Sequence, residues 1–138
     1  MTREEIKEYL PHREPMLLVD ETELDGGKVH SKYHVTGEEF FVQGHFPGYP
    51  VVPGVILCEI MAQSCALLIG DDIKGKTPLY AGLDKVKFKR QVRPGDTICV
   101  DGELIARKGP VIVIKGVAKV DGQLCCSAEM TFMLIEKK

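Results

Sequence analysis

PGVILCEIMAQSCALLI, Pro53 to Ile69, is the stretch that decides how this chain folds. Proline at a first helical position loses no bond, and its fixed φ suits a helix start. The residues that follow are apolar on almost every side, so this long helix has to be buried on most of them. Downstream of Gly70 the pattern changes to alternation, with strands expected at Leu79–Val86, Thr97–Ala106, Val111–Val120 and Gln123–Ile135. Turn signals separate them at Arg93-Pro94-Gly95-Asp96, Lys108-Gly109-Pro110 and Asp121-Gly122, the last a strong hairpin signal. Upstream, Thr2–Leu10 reads as a short helix with a Thr2/Glu5 capping box, stopped by Pro11. Met16–Val19 is a short apolar run, Asp25-Gly26-Gly27 a turn, Val29–Val35 a strand, and Phe40–Pro53 an ordered loop. A sheet must bury one face, and the central helix is the only apolar partner long enough. The expected class is α+β, an antiparallel sheet wrapped around one long helix.

At 138 residues the chain makes one domain, 1–138, with no repeat, low-complexity tract or internal boundary. Hydrophobic residues are 44% and charged residues 28%, ordinary for a globular protein, and a net charge of −2 argues against a nucleic-acid partner. The apolar run is interrupted by Glu59 and Gln63 and reads as too short to span a bilayer. MTREEIKEYL carries no apolar signal core, which argues against secretion. The five cysteines (58, 65, 99, 125, 126) have no metal-ligand spacing, and their odd number points to reduced thiols and the cytoplasm. Cys58 and Cys65 are expected as small core residues.

The chemistry is concentrated in GHFPGYPVVPGVILCEIMAQ, Gly44 to Gln63. Glu59 is a lone carboxylate inside the apolar helix. Burying it without a cation is costly, which favours the neutral acid and suits a general acid. Its helical neighbours include Gln63, able to bond and orient the carboxyl, and the small Ala62 and Ala66, which leave space beside it. The plainer reading is a buried glutamate paired with a distant Lys or Arg. His45, held between Gly44 and Phe46-Pro47-Gly48, is a candidate base, although a single loop histidine is more often structural or solvated. His12 is expected to fix local backbone after Pro11. His30 and His34 share a strand face without a third ligand, a weak zinc signal. At Pro53-Gly54 the free N–H groups of the helix start could receive a developing oxyanion at Gly54, or simply begin a helix. Lys85, Lys87, Lys89, Arg90 and Arg93 are read either as a solvated edge strand or as a docking patch for an acidic partner, with the three lysines on one strand face.

The Gly44–Gln63 run, together with LPHREPMLLVD (Leu10–Asp20) and LDKVKFKRQVRPGD (Leu83–Asp96), resembles the 3-hydroxyacyl-(acyl-carrier-protein) dehydratases of the FabZ type. The resemblance covers nearly the whole chain and implies a hot-dog fold. It also implies a dimer, assembled as a trimer of dimers, that needs no metal or organic cofactor. By motif position it makes His45 the catalytic histidine, Glu59 the catalytic acid contributed by the dimer partner, and Gly54 the backbone donor to the thioester carbonyl. The acyl chain would run along the apolar helix face past Phe46, Ala62, Ala66 and Tyr80. The gating aromatic is Tyr80 or, if the alignment slips by one, its place falls on Leu79. The carrier protein would dock where Lys and Arg are dense. Related dehydratase-isomerases usually carry Asp where this chain has Glu59, although Glu-bearing members can isomerise, so double-bond migration stays open. A hot-dog thioesterase, a CoA-linked enoyl hydratase and a non-catalytic acyl-binding protein are the rival readings.

Overall fold

The computed structural model describes residues 1–43 and 48–136, so the expectations for His45 and Phe46 lie outside the described residues. The chain runs α1 (Arg3–Ile6), β1 (Glu21–Asp25), β2 (Lys28–His34), α2 (Phe40–Gln43) and α3 (Gly54–Ala66). A 3-10 stretch (Leu67–Ile73) and β3 (Lys76–Phe88), β4 (Thr97–Lys108), β5 (Val111–Val120) and β6 (Gln123–Glu136) follow. The six strands form one antiparallel sheet in the order β1-β2-β4-β5-β6-β3. Its inner face curls over α3, which packs against β2, β4, β5 and β6. This is the hot-dog arrangement.

α3 is buried from Leu57 to Ala66 except at Glu59, as an all-round apolar helix requires. It lies close to the sheet because two glycines, Gly102 on β4 and Gly116 on β5, face each other beneath it. A Cβ at Gly102 would stand 2.6 Å from Cys65 Sγ, and one at Gly116 3.2 Å from the same sulfur. The absent side chains make the seat into which Cys65 fits. Asp121 (φ 52°) and Gly122 (φ 76°) both adopt the left-handed region, which turns β5 tightly into β6 as the Asp-Gly pair foretells.

The side of α3 away from the sheet is crossed by the segment from Pro11 to Asp20. Two arginines hold that segment. Arg3 donates to the carbonyls of Leu17 (2.7 Å) and Val19 (3.0 Å). Arg13 donates to those of Leu10 (2.8 Å), His12 (2.7 Å) and Lys7 (3.1 Å). Leu10, Leu17, Leu18 and Val19 are then buried.

Several boundaries differ from the sequence-based expectation. α1 keeps its Thr2/Glu5 capping box but ends at Ile6 rather than Leu10, since Tyr9 and Leu10 N–H both return to the Ile6 carbonyl and Arg13 takes the Lys7 carbonyl. β1 was not expected at all. Its sequence, ETELD, has a single buried position, Thr22, whose hydroxyl meets that of Ser31 at 2.6 Å. Phe40–Pro53 contains the single helical turn α2. The apolar helix changes to 3-10 geometry after Ala66 and breaks at Gly70 (φ 71°, ψ −143°), as the boundary expected there requires; Gly54–Ile73 together is 20 residues, long and apolar enough to cross a membrane by length and composition alone. Its burial under the sheet accounts for that composition.

Gly102→Ala should destabilise the fold by about 1–3 kcal/mol, because the new methyl meets Cys65 Sγ at 2.6 Å and Val29 Cγ1 at 2.9 Å, neither able to swing away. Chemical denaturation should show a lower midpoint with an unchanged slope. An unchanged midpoint would mean that α3 does not rest on the sheet here.

Candidate active site

Glu59 is the one residue of α3 between Leu57 and Ala66 that is not buried. Its side chain is 23% exposed, and Oε2 accepts a 2.9 Å hydrogen bond from Gln63 Nε2. Gln63 itself is buried and fully engaged. Its Oε1 accepts from Leu18 N at 2.7 Å, and its Nε2 also donates to Met16 O at 2.7 Å. A backbone N–H can only donate and a carbonyl can only accept, so the two contacts fix which way the amide points. Gln63 therefore presents a donor to Glu59, and it ties the carboxyl to the Pro11–Asp20 segment. The orienting role expected for Gln63 rests on a helical i, i+4 pair plus this crossing chain.

The isolation expected for Glu59 is corrected. His12 Nε2 lies 3.4 Å from Glu59 Oε2, so the neighbour is neither a Lys nor an Arg but a histidine from the crossing segment. The backbone role expected for His12 belongs instead to Arg13, which grips three carbonyls around it. Glu59 Oε1 has no partner among the described residues. Glu59 borders a small cavity of about 40 Å³ that is lined also by His12, Ala62, Gln63, Ala66, Pro78, Tyr80 and Phe132. Ala62, Ala66 and Tyr80 are thus brought beside the carboxyl, as expected.

Tyr80 stacks on Phe132 with centroids 5.4 Å apart and donates its hydroxyl to the Cys58 carbonyl at 2.7 Å. Burial, and then the charge of Glu59, push its phenol well above the usual range. Leu79 does not line the cavity.

Gly54 opens α3 on a different side. Ile56 and Leu57 N–H return to the Pro53 carbonyl, leaving those of Gly54 and Val55 without an intrahelical acceptor. The second opening here, of about 480 Å³, is lined by Val52, Gly54, Leu57, Phe88, Lys89, Arg90 and Gln91. A Cβ on Gly54 would meet the Phe88 ring at 2.9 Å, so only glycine fits without displacing that ring. Five residues of helix put Gly54 and Glu59 about 140° apart around the axis. Among the described residues the two line different cavities.

The basic residues do not form one row. β3 ends at Phe88 and is irregular between Asp84 and Lys87, with Lys85 at φ 52°. Lys85, paired with Glu129 at 2.8 Å, and Lys87 open onto a shallow groove with Lys115. Lys89 and Arg90 face the Gly54 opening instead, and Arg93 lies over the Tyr49 ring at 4.6 Å. His30 bonds Asp101 at 2.5 Å and His34 bonds Thr97 at 3.0 Å. Among the described residues no cluster of His, Cys, Asp and Glu could hold a metal ion.

Comparison with known proteins points the same way as this arrangement. A family model described as the FabA-like domain matches residues 10–129. The chain is 50% identical to the FabZ 3-hydroxyacyl-(acyl-carrier-protein) dehydratase of Clostridium perfringens, across 97% of this chain and 99% of that one. It is 46% identical to the FabZ dehydratase of Bacillus subtilis, across 96% and 97%. Among solved structures it is similar to a chain of the dehydratase heterocomplex ApeI:P from Xenorhabdus doucetiae, with a TM-score of 0.84. That match spans 96% of this chain and 91% of the other at 17% identity, a likeness of fold.

Gln63→Met keeps the volume but removes both amide atoms, stranding Leu18 N–H and Met16 O in a buried place. We expect a loss of about 1–3 kcal/mol, seen as a lower Tm. A native Tm would mean that water or a neighbour replaces the amide.

Proposed function

Because the chain belongs to the FabA-like family, among its FabZ-type dehydratases, we propose that it removes water from (3R)-3-hydroxyacyl-(acyl-carrier-protein) in type II fatty acid biosynthesis. The product is the trans-2-enoyl thioester. The observation that carries this reading is a glutamic acid held by Gln63 through one oxygen, on a cavity flanked by Ala62, Ala66 and Tyr80.

The reaction needs a base at C2 and an acid at the 3-hydroxyl. His45 takes the C2 proton, and the developing enolate is stabilised by the Gly54 N–H and the positive end of α3. Glu59 protonates the departing hydroxyl, which leaves as water. Returning the proton from His45 to Glu59 resets the site, and the same steps run backwards hydrate an enoyl thioester.

The site is shared between two chains, with Glu59 supplied by the partner of the chain that gives His45 and Gly54. Two features support this. Gly54 and Glu59 point about 140° apart on one helix. The cavity at Glu59, about 40 Å³, falls well short of the several hundred Å³ usual for a ligand pocket, so one chain alone does not make the tunnel. β3 is the edge where a second copy would join. It leaves Leu79, Leu83 and Phe88 exposed along a 13-residue strand, a long apolar edge that folded proteins normally cover. A trimer of such dimers is the assembly we propose. Lys89 and Arg90 stand at the Gly54 opening, where a carrier-borne thioester would enter, and would meet an acidic carrier protein there. Five free cysteines, four of them buried, suit a reducing compartment such as the cytoplasm.

The test is incubation with 3-hydroxyacyl-carrier protein followed by mass spectrometry. Loss of one water with the thioester intact is expected, and Glu59→Gln should lower turnover by roughly two to four orders of magnitude. Free acid and thiol as products, or a Glu59→Gln variant with native turnover, would overturn the reading.

A further inference from the structure

His12 is a residue that the reaction above does not use, yet its ring lies on the catalytic carboxyl. Nε2 is 3.4 Å from Glu59 Oε2, the same oxygen that accepts from Gln63. The other ring nitrogen, Nδ1, is buried and has no hydrogen-bond partner among the described residues. The backbone on either side is fixed by Arg13, whose guanidinium holds the carbonyls of Lys7, Leu10 and His12. The ring is therefore presented to Glu59 from a clamped loop rather than from a free side chain.

The two nitrogens constrain the tautomer. A proton on Nδ1 would be a buried N–H with no acceptor, the rarer and less tolerated kind of orphan in folded proteins. It would also turn the Nε2 lone pair toward Oε2. A proton on Nε2 leaves only a lone pair unsatisfied and places a donor beside the carboxyl oxygen. At 3.4 Å the contact has ion-pair distance without hydrogen-bond geometry in this chain, and catalytic hydrogen bonds are often long or poorly aligned before substrate binds and tighten in the loaded site.

We propose that His12 is a positioning residue for Glu59. With its proton on Nε2, it acts as the second donor to Oε2 and keeps the acidic proton of Glu59 on Oε1, the oxygen that neither Gln63 nor His12 holds. Without it, the acid could carry its proton on either oxygen, and only one of the two is aimed at the departing hydroxyl. Two donors on one side of the carboxyl make the productive form the prevailing one. The inference rests on the dehydratase reading for its kinetic consequence, but the tautomer can be read without any turnover.

Two measurements test it together. Long-range ¹H–¹⁵N NMR on the labelled wild-type protein at neutral pH should show the His12 ring proton on Nε2. A proton on Nδ1, in either a neutral or a charged ring, overturns the proposal. In parallel, His12→Phe keeps a planar ring without the donor and should lower kcat roughly ten- to hundredfold with KM unchanged. His12→Gln restores a side-chain N–H and should recover most of that loss. Native kcat in His12→Phe overturns the proposal, as does an equal loss in both variants, which would make the ring a packing element only. If wild-type protein produced no enoyl thioester, the functional reading would fail instead, and the NMR result would still decide His12.

Discussion

A helix without a polar face has nowhere to sit in water, and most of this structure answers that one constraint. The sheet closes over α3 from β2 to β6, and the bare backbone at Gly102 and Gly116 lets Cys65 sink against it. The Pro11–Asp20 segment covers part of the remaining side. Gln63 supplies part of the hydrogen bonding that this irregular backbone needs, at Met16 and Leu18, beside the carbonyls held by Arg3 and Arg13. The amide that closes the fold is thus the amide that holds Glu59. One side chain thus serves both the fold and the placing of the proposed acid, and reorienting the carboxyl would disturb the core.

The same geometry is what the proposal of a site shared between two chains rests on. A helix wrapped by its own sheet exposes a narrow strip and two ends. Glu59 lies on the strip, beside Tyr80 and Phe132, while Gly54 lies at the N-terminal end beside Phe88. In the proposed reaction an acid and a backbone donor reach one thioester from these different directions through a second copy, for which β3 offers an apolar edge.

Much of this was legible in the sequence, for identifiable reasons. The all-round apolar run announced the central helix, and alternation announced the strands from β3 to β6. The pairing of Glu59 with Gln63 and the space at Ala62 and Ala66 follow from helical spacing alone. β1 was invisible because only Thr22 in ETELD is buried, so it has no periodicity to read. His12 was misread because its contact with Glu59 depends on a chain crossing that no local pattern encodes. The row of lysines failed at Phe88, where the strand ends before Lys89, a boundary set by tertiary pairing.

The central claim is that a working site takes Glu59 from one chain and His45 from another. It is tested most directly by co-refolding two inactive proteins, His45→Ala and Glu59→Gln, in equal amounts. If the site is shared, a mixed dimer holds one site with both lesions and one with neither. Random pairing makes about half the dimers mixed, so activity should return to about a quarter of wild type. Mixed dimers verified by mass but without regained activity would contradict the claim, because every site would then carry one lesion of its own.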